Sequence, residues 1–472
     1  MLRRSARFAK HVLKTAKDYG TDQERIDARE RVWNELDVSV KDTKQWLGKM
    51  SAGCFATHQV YERCDFACTA CYLTKEANDT PPLPFEDVKK QLDEIREYAG
   101  PGSNVQITAG EVTLLPEDDL IKIVKYACKE VKLDAMLMTH GQTFYKNPKY
   151  LERLITEGGL EKLAVHIDTT QRGRIGMQKS DNEVDLNWIR DHFANLIRDM
   201  RKKTGVDLNA SHTFTVTEKN LPQLPDVMRW MKDNNDAFRM ISFQPTADVG
   251  RTLEKEQVQQ QDTVWEKIGE GLGLDNICQS TFYMGHPKCN NTSLMFVIKF
   301  GDESQIMQVT RPGEKIDEWF WDELMNGDFK HYYSDGADNA ELLGRAVGMV
   351  TKSPKYFWQI PYFFFSRVWG EREWMPRFMK AVATNQPWSI KPLVVVVHNF
   401  MSSHELETEE GKLRLENCAF RLPVDGEMIP MCTMNGTDMR KEKNLETQER
   451  LVDIKGWKPK REKKKKKPQP AA

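Results

Sequence analysis

"YERCDFACTACYLTK", residues 61–75, places Cys64, Cys68 and Cys71 within eight positions. Four thiolates are typical of a closed structural zinc site, and two are typical of a redox pair. Three thiolates leave one position of the bound metal centre open to another ligand. The stretch therefore predicts a metal site that takes part in chemistry.

The sequence around this stretch predicts a parallel sheet. From about residue 56 to 245, short β-branched runs alternate with segments of helical periodicity, which is typical of βα repeats. The predicted strands are 56–62, 104–109, 133–138, 162–168, 207–216 and 239–244. The predicted helices between them are 85–99, 117–130, 147–157, 184–203 and 222–233. Six such units close only part of an eight-unit barrel, and the cysteine loop follows the first strand, at the end where barrel active sites form.

The regular repeat is lost after residue 250. A helix over 253–272 and two hairpins, around Gly301-Asp302 and Asp425-Gly426, are predicted there. From about residue 440 the chain is charged and poor in apolar residues, which predicts disorder. We therefore predict four segments: an N-terminal lead-in, a barrel, a C-terminal extension and a tail, over residues 1–55, 56–250, 251–440 and 441–472.

Composition limits the class of protein. A chain of 472 residues with 39% hydrophobic content can bury a large core. Nine cysteines, three of them in one loop, do not resemble a secreted disulfide framework, so we expect a reducing cytoplasm. The longest uninterrupted aliphatic run is Leu393 to Val397, which is too short to span a membrane.

The pattern Cys64-x3-Cys68-x2-Cys71, in a loop after the first strand of a partial barrel, resembles the radical S-adenosylmethionine (SAM) superfamily. The resemblance implies an α/β fold, a partial (βα)6 TIM-like barrel with a C-terminal α+β extension. It implies a [4Fe-4S] cluster whose open iron binds SAM. Reductive cleavage of SAM then gives a 5′-deoxyadenosyl radical that abstracts hydrogen from an unactivated C–H bond. An external electron donor of the flavodoxin or ferredoxin type is the implied partner.

A second motif supports this resemblance. Ala109-Gly110-Glu111 ends the second predicted strand, where the family carries Gly-Gly-Glu to receive the methionyl ammonium of SAM. Tyr72, directly after the third cysteine, is a candidate for the adenine contact. Further candidates for ribose and carboxylate contacts follow strands three to five: Thr139, Asp168 and His212. No single residue stands out as the catalytic one.

Four further cysteines lie outside the barrel repeat in two pairs, Cys278 with Cys289 and Cys418 with Cys432. Four thiolates suit a closed cluster, and their placement resembles radical SAM enzymes that carry an auxiliary iron–sulfur cluster in a C-terminal extension. The alternative is that they are buried core residues, since free cysteines are often buried.

Three short segments indicate a substrate class. "SFQPTADVGR" (242–251), "HPKC" (286–289) and "CAFRLPVDGEMIPMC" (418–432) resemble a radical SAM subgroup that includes the archaeal tetraether lipid synthases. The resemblance implies a lipid or another long apolar substrate. A peptide- or protein-modifying enzyme is the alternative. From another class, the alternative is a non-catalytic metal-binding module, with Cys54 or His58 completing a zinc site and basic ends that recruit nucleic acid. No RNA-binding motif accompanies those ends, so nucleic acid is not the expected partner.

The N-terminus predicts an amphipathic helix with one apolar and one basic face. The two faces are Leu2, Ala6, Ala9, Leu13 and Ala16, and Arg3, Arg7, Lys10, Lys14 and Lys17. With the Lys463–Lys467 run, this helix predicts peripheral contact with an anionic membrane, on its inner face. The alternative is that the helix packs on the barrel. The aromatic segment 356–369 is expected either in the core or along an apolar substrate tunnel.

Overall fold

The computed structural model describes residues 2–17, 22–253, 261–311, 313–327, 339–370 and 373–451. Its strands form a single sheet. They are β1 (Cys54–Ala56), β2 (Asn104–Ile107), β3 (Asp134–Thr139), β4 (Lys162–His166), β5 (Asn209–Val216), β6 (Phe238–Pro245), β7 (Asn290–Phe300), β8 (Glu303–Gln308), β9 (Trp388–His398), β10 (Phe420–Val424) and β11 (Glu427–Pro430).

The helices fall into three groups. The N-terminal helices and those of the barrel are α1 (Leu2–Lys17), α2 (Gln23–Glu35), α3 (Phe85–Ala99), α4 (Glu117–Lys125), α5 (Gln142–Lys146), α6 (Pro148–Arg153), α7 (Asn187–Thr204), α8 (Leu224–Asp233) and α9 (Gln261–Leu272). An insert between β8 and β9 contains α10 (Lys315–Asn326), α11 (Asn339–Lys352), α12 (Tyr356–Gly370) and α13 (Met375–Ala383). The C-terminal helices are α14 (Glu409–Glu416), α15 (Met431–Gly436) and α16 (Met439–Leu451).

The sheet is a curled partial barrel whose edges are extended by the C-terminal part of the chain. Its strand order is β11-β10-β1-β2-β3-β4-β5-β6-β9-β7-β8. The strands from β10 through β1–β6 to β9 run parallel, while β11, β7 and β8 pair antiparallel with their neighbours. The predicted fold class, a partial TIM-like barrel with a C-terminal α+β extension, is confirmed.

The barrel helices cover the outer face of the sheet with a regular apolar stripe. In α3, Val88, Leu92, Ile95 and Ala99 recur every three or four residues and are all buried. Glu86 and Asp87 stand in its first turn, where acidic groups favour the helix dipole. This packing fixes the ends of the parallel strands, and with them the loops that follow.

The predicted strands two to six all correspond to observed strands, but the first prediction was wrong in its bounds. The strand ends at Ala56, not at residue 62. Gln59 has a positive φ of 54°, and its side chain donates hydrogen bonds to Asn444 and Thr447 of α16. The chain therefore leaves the sheet early and leads into the cysteine loop.

The prediction of disorder from residue 441 was wrong for residues 441–451, the part of the tail that the structure describes. Residues 439–451 form α16, which has few apolar residues and is held by polar contacts. Arg440, Asn444 and Thr447 are buried, and Arg440 forms an ion pair with Glu62. Residues 452–472, including Lys463–Lys467, and residues 254–260 of the predicted 253–272 helix lie outside the described residues. Among the described helices, none has the length and apolar character needed to cross a bilayer.

Candidate active site

The cysteine loop is held between two neighbouring loops of the barrel by backbone hydrogen bonds. The amide of Ala67 donates to the carbonyl of Arg172, at 2.8 Å, and the amide of Thr69 donates to that of Thr170, at 2.8 Å. On the other side, the amide of Leu253 donates to the carbonyl of Thr69 at 2.7 Å. The loops after β4 and β6 therefore fix the positions of the three cysteines.

All three thiols of this loop line one cavity of about 230 Å³ inside the barrel. Burial, and then the charge of Glu111, raises the pKa of Cys64 to about 12. Burial also raises the pKa of Cys68. Such thiols keep their protons at neutral pH unless a cation replaces them, which is what metal binding does. The Nε–H of Arg251 donates to Sγ of Cys71 at 3.3 Å and provides positive charge beside the set.

The spacing of the thiols bears on which metal centre they fit. Ligand atoms of Cys64, Asp65 and His140 all lie within 4.8 Å of one another, as a single metal ion requires. Within the described residues, the three thiols do not form such a group. Cys64, Cys68 and Cys71 are therefore spread more widely than one ion needs, and the donor set suits a multi-iron cluster.

Gly110 brings the end of β2 against the start of the cysteine loop. Its amide donates to the carbonyl of Tyr61 at 3.0 Å, and the amide of Glu111 donates to that of Arg63 at 2.9 Å. A Cβ atom at position 110 would lie only 2.1 Å from the carbonyl oxygen of Glu62. The position therefore requires glycine for close approach of two backbones.

The carboxylate of Glu111 is buried at the cavity wall and is oriented by neutral donors. Its Oε1 accepts hydrogen bonds from the hydroxyls of Thr113, at 2.6 Å, and Thr139, at 2.7 Å. Its Oε2 accepts from the backbone amide of His140 at 2.8 Å. Nε2 of His140 also lies 3.2 Å from Oε2, so a cationic ligand group that binds this oxygen takes the place of the His140 ring.

Tyr72 and Ala109 also line the cavity, on the side of α16. The hydroxyl of Tyr72 donates to the carbonyl of Ala109, and the guanidinium of Arg440 lies 4.9 Å from the centre of the Tyr72 ring. Burial raises the pKa of Tyr72 to about 12. The tyrosine is therefore a fixed, neutral part of the wall.

Two predicted contact residues lie away from the cavity. Asp168 is fully buried, and its carboxylate contacts Nε2 of His166 and accepts from the amide of Thr215 at 2.7 Å. Burial would raise the pKa of Asp168, but His166 and the hydrogen-bond donors outweigh it and hold the pKa well below its usual range. His166 itself lines the cavity, so Asp168 orients a cavity residue.

His212 differs from its predicted role because of strand periodicity. It is fully buried on the helix side of β5, where its Nε2 accepts from Arg190 at 3.2 Å. The cavity side of β5 carries Thr213 and Thr215 instead. Successive strand residues face opposite sides, so a shift of one position removes the side chain from the site.

Sequence reasoning named His140 beside Thr139 but did not assign Asp65, Phe66 or Arg251, which also shape this site. Phe66 stacks on His140 with ring centroids 3.8 Å apart, and His140 contacts Asp65 and Glu111. The bond from Arg251 to Cys71 was also missed. The available signal for Arg251 was its place after β6, where a barrel loop reaches the site.

The structure brings together three of the four cysteines predicted for a second cluster. The Nε–H of Arg414 lies 3.5 Å from Sγ of Cys289. Burial is the main cause that raises the pKa of Cys418 to about 11, and the charge of Cys289 is the second cause. Burial likewise raises the pKa of Cys432 to about 12, with the charge of Cys418 as the second cause. Cys432 also lines the main cavity.

Cys278 does not join this set. Its amide donates to the side chain of Gln308, and its Sγ lies 3.1 Å from the hydroxyl of Thr310. In the sheet, Gln308 pairs with Met295 of β7. Met295 lies five residues from Asn290, the neighbour of Cys289, which is about 17 Å at the usual rise of a strand. The expected four-cysteine arrangement is therefore replaced by three converging thiols.

The family model of the Radical SAM superfamily matches residues 59–200, which span the cysteine loop and the Gly110–Glu111 segment. This part of the chain is therefore a radical SAM domain. The 7,8-dihydro-6-hydroxymethylpterin dimethyltransferase of Methanocaldococcus jannaschii is 26% identical over 231 residues, or 48% of this chain and 44% of that protein. The antilisterial bacteriocin subtilosin biosynthesis protein AlbA of Bacillus subtilis is 23% identical over 201 residues, or 42% and 40%. Each of these two alignments thus covers less than half of the relative's length.

Solved structures similar to the radical SAM barrel include methylornithine synthase (PylB). It has a TM-score of 0.30 at 14% identity, and the alignment covers 56% of this chain and 72% of that one.

Proposed function

We propose that this chain is an enzyme that holds a [4Fe-4S] cluster through Cys64, Cys68 and Cys71 and cleaves SAM reductively. The observation that carries the proposal is that these three thiols line the same cavity as Gly110 and Glu111. When bound, such a cluster supplies the electron that cleaves SAM, and the carbon radical formed removes a hydrogen atom from an unactivated C–H bond of the substrate.

The residues of the chain have distinct tasks in this proposal. Arg251 donates a hydrogen bond to Sγ of Cys71 and places positive charge beside the cluster ligands. Oε2 of Glu111 receives the methionyl ammonium in place of the His140 ring, while Thr139 keeps that carboxylate oriented. Gly110 lets the backbone approach the ligand, and the ring of Tyr72 borders the space for the adenine.

The proposal is tested with the Cys68→Ala variant, using Cys128→Ala as a matched control. Cys128 is half-buried and lies outside both cysteine sets and the cavity wall, so its loss should leave the cavity intact. Anaerobically reconstituted protein with a strong reductant should release 5′-deoxyadenosine. Cys68→Ala should lose this release, because two thiolates do not hold the cluster. Undiminished release from Cys68→Ala would refute the assignment.

The rival class is a non-catalytic zinc module that recruits nucleic acid. Cys64, Asp65 and His140 would offer three ligands for one ion. A colourless protein that contains zinc and releases no 5′-deoxyadenosine would favour this rival. A brown, air-sensitive protein favours the enzyme. Members of this superfamily need an external reductant, and we propose a flavodoxin or ferredoxin as the donor here.

We propose a lipid or another long apolar molecule as the substrate. Apolar side chains form most of the cavity wall contributed by the C-terminal part of the chain: Phe400, Met401, Phe420 and Met431. Modification of a peptide is the second candidate, which the resemblance to a bacteriocin biosynthesis protein favours. The test is deuterium transfer into 5′-deoxyadenosine from deuterated acyl chains or from deuterated peptides. Transfer from peptides alone would exclude the lipid.

We further propose that Cys289, Cys418 and Cys432 hold a second iron–sulfur cluster. Two distant parts of the chain bring the three thiols together, and Arg414 places positive charge beside Cys289 and Cys432. The protein with Cys64, Cys68 and Cys71 all replaced by Ala should then retain about four irons.

Two additions to that triple variant separate a cluster from buried core cysteines. Adding Cys432→Ala should remove the remaining iron, because the set then has two thiols. Adding Cys278→Ala should leave the iron in place, since Cys278 lies at Thr310 instead. Iron near zero in the triple variant would show that the second set is core packing.

A further inference from the structure

The helical insert between β8 and β9 has a small core of its own. Phe320 of α10, Met349 of α11 and Tyr356 and Phe363 of α12 form a buried cluster. The rings of Phe320 and Phe363 stack with centroids 3.7 Å apart. These contacts fix the orientation of α12 and therefore determine which of its faces is exposed.

The exposed face of α12 is aromatic rather than polar. Its inner face, with Tyr356, Phe363 and Arg367, is buried. We define the aromatic face as its exposed ring-bearing residues: Phe357, Trp358, Tyr362, Phe364 and Phe365. Phe357 is 75% exposed and Phe365 61%. A surface helix normally carries charged or polar residues on this side. Between positions 356 and 367 the aromatic face carries no charged side chain, which marks it as an interaction surface.

A strongly basic helix, α1, packs against the insert, and we call α1, α11 and α12 together the helical unit. Helix α1 packs closely against α11, since a Cβ at Gly344 would lie 2.6 Å from Cβ of Thr15. Helix α11 in turn packs against α12 through Met349. The sequence of α1 contains six lysine and arginine residues and no acidic residue. Its described cationic side chains, Lys10, Lys14 and Lys17, are exposed.

Exposed aliphatic groups accompany the cations of this unit. Leu13 of α1 is 67% exposed, and Leu343 and Val347 of α11 are exposed one turn apart. Ala9 and Leu13 of the predicted apolar face of α1 are exposed, and the buried contact with α11 is made by Val12, which lies outside that face. Helices α1, α11 and α12, packed in that order, thus carry exposed cations, aliphatic groups and aromatic rings.

We propose that α1, α11 and α12 form a docking surface for an anionic lipid bilayer. Aromatic rings are favoured at the boundary between acyl chains and headgroups, and lysines are attracted by anionic headgroups. A 15-residue α12 is about 22 Å long, which is too short to span but suits lying in the interface. A symmetric contact between two copies would bring identical cations together, so the charge favours the bilayer as the occupant.

This surface does not depend on radical chemistry, and its test is independent of SAM cleavage. Co-sedimentation is measured with vesicles containing phosphatidylglycerol and with vesicles of phosphatidylcholine alone. The intact chain should bind the anionic vesicles at low salt and dissociate as salt rises and screens the lysines. SAM cleavage without vesicles serves only to show that each variant is folded.

Three variants distinguish the parts of the surface. Phe357→Ser/Trp358→Ser/Phe365→Ser should weaken binding at least tenfold by removing rings from the aromatic face. Lys10→Gln/Lys14→Gln/Lys17→Gln should weaken it roughly 100-fold on anionic vesicles. The control, Val38→Ser/Trp188→Ser, removes two exposed apolar side chains outside the helical unit and should bind like the intact chain.

Three results would overturn the proposal. The first is absence of binding by the intact chain to anionic vesicles at low salt. The second is equal binding by the aromatic variant and the control. The third identifies a different occupant. A dimer in analytical ultracentrifugation that dissociates in the aromatic variant, without vesicle binding, would identify a second copy as the occupant and would also overturn the bilayer. Loss of SAM cleavage in the intact chain would refute the proposed function and leave this surface unaffected.

Discussion

Replacing Gly110 with alanine is expected to separate the two backbones that position the cysteine loop and Glu111. The added Cβ would lie 2.1 Å from the carbonyl oxygen of Glu62 and 2.7 Å from that of Arg63. The distance from the added Cβ to the Glu62 oxygen is about 1 Å shorter than an ordinary carbon–oxygen contact. Both neighbours are backbone atoms, which cannot rotate away as a side chain can. The backbone hydrogen bonds from the amide of Gly110 to Tyr61 and from the amide of Glu111 to Arg63 would then break. Their loss should lower the free energy of unfolding by about 1–3 kcal/mol.

The effect on activity should be larger than the effect on stability. A displacement of about 1 Å at a reacting site costs about 100-fold in rate, so 5′-deoxyadenosine release should fall by that order. Gly205→Ala is the control, because Gly205 has a φ of +73° and nothing within 4 Å of an added Cβ. It should lose about 1 kcal/mol through backbone strain and keep full activity. Gly110→Ala with unchanged melting temperature and unchanged release would refute this reasoning.

Three further predictions concern named contacts. Arg251→Met should lower the reduction potential of a cluster bound by Cys71, because the substitution removes a charged hydrogen-bond donor to sulfur. A redox titration followed by electron paramagnetic resonance measures this potential, and an unchanged value would contradict the prediction. Arg440→Met leaves the Glu62 charge buried without its partner and should cost about 3–5 kcal/mol in urea denaturation, a loss that added Glu62→Gln should partly restore. Burial, and then Arg440, holds the pKa of His58 at about 4, below its ordinary 6.5. The unfolded chain therefore binds more protons between these values, and stability should fall as pH drops from 6.5 to 4, by up to about 3 kcal/mol and by less in His58→Gln.

The main cavity could be predicted because its signals are local in sequence. The spacing of Cys64, Cys68 and Cys71, the alternation of strands and helices, and the Gly110–Glu111 pair each lie within one βα unit. Parallel strands place the loops that follow them at the same edge, so the residues after β1 and β2 come together. Sequence alone did not separate His212 from Thr213, because a shift of one position changes the face of a strand. It also did not show that Asp168, which follows the end of β4, is buried behind His166.

The C-terminal part could be predicted less well because its contacts join distant segments. The hairpins at Gly301-Asp302 and Asp425-Gly426 were predicted from their turns and are observed. Nothing local indicates that β9 pairs with β6, or β10 with β1. The grouping of Cys289 with Cys418 and Cys432, and the exclusion of Cys278, follow from those pairings. The division into four segments stays a prediction.

The pairing of β9 and β10 also explains why the second cysteine set adjoins the cavity. These strands extend opposite edges of the curled sheet, and the edges approach each other: Phe400 after β9 and Phe420 of β10 have ring centroids 6.2 Å apart. Cys289 stands at the first of these edges, and Cys418 and Cys432 stand at the second. A metal centre held by all three would therefore join the two edges and close the open side of the barrel. Because Cys432 is also part of the cavity wall, loss of that centre should open the site as well as remove iron.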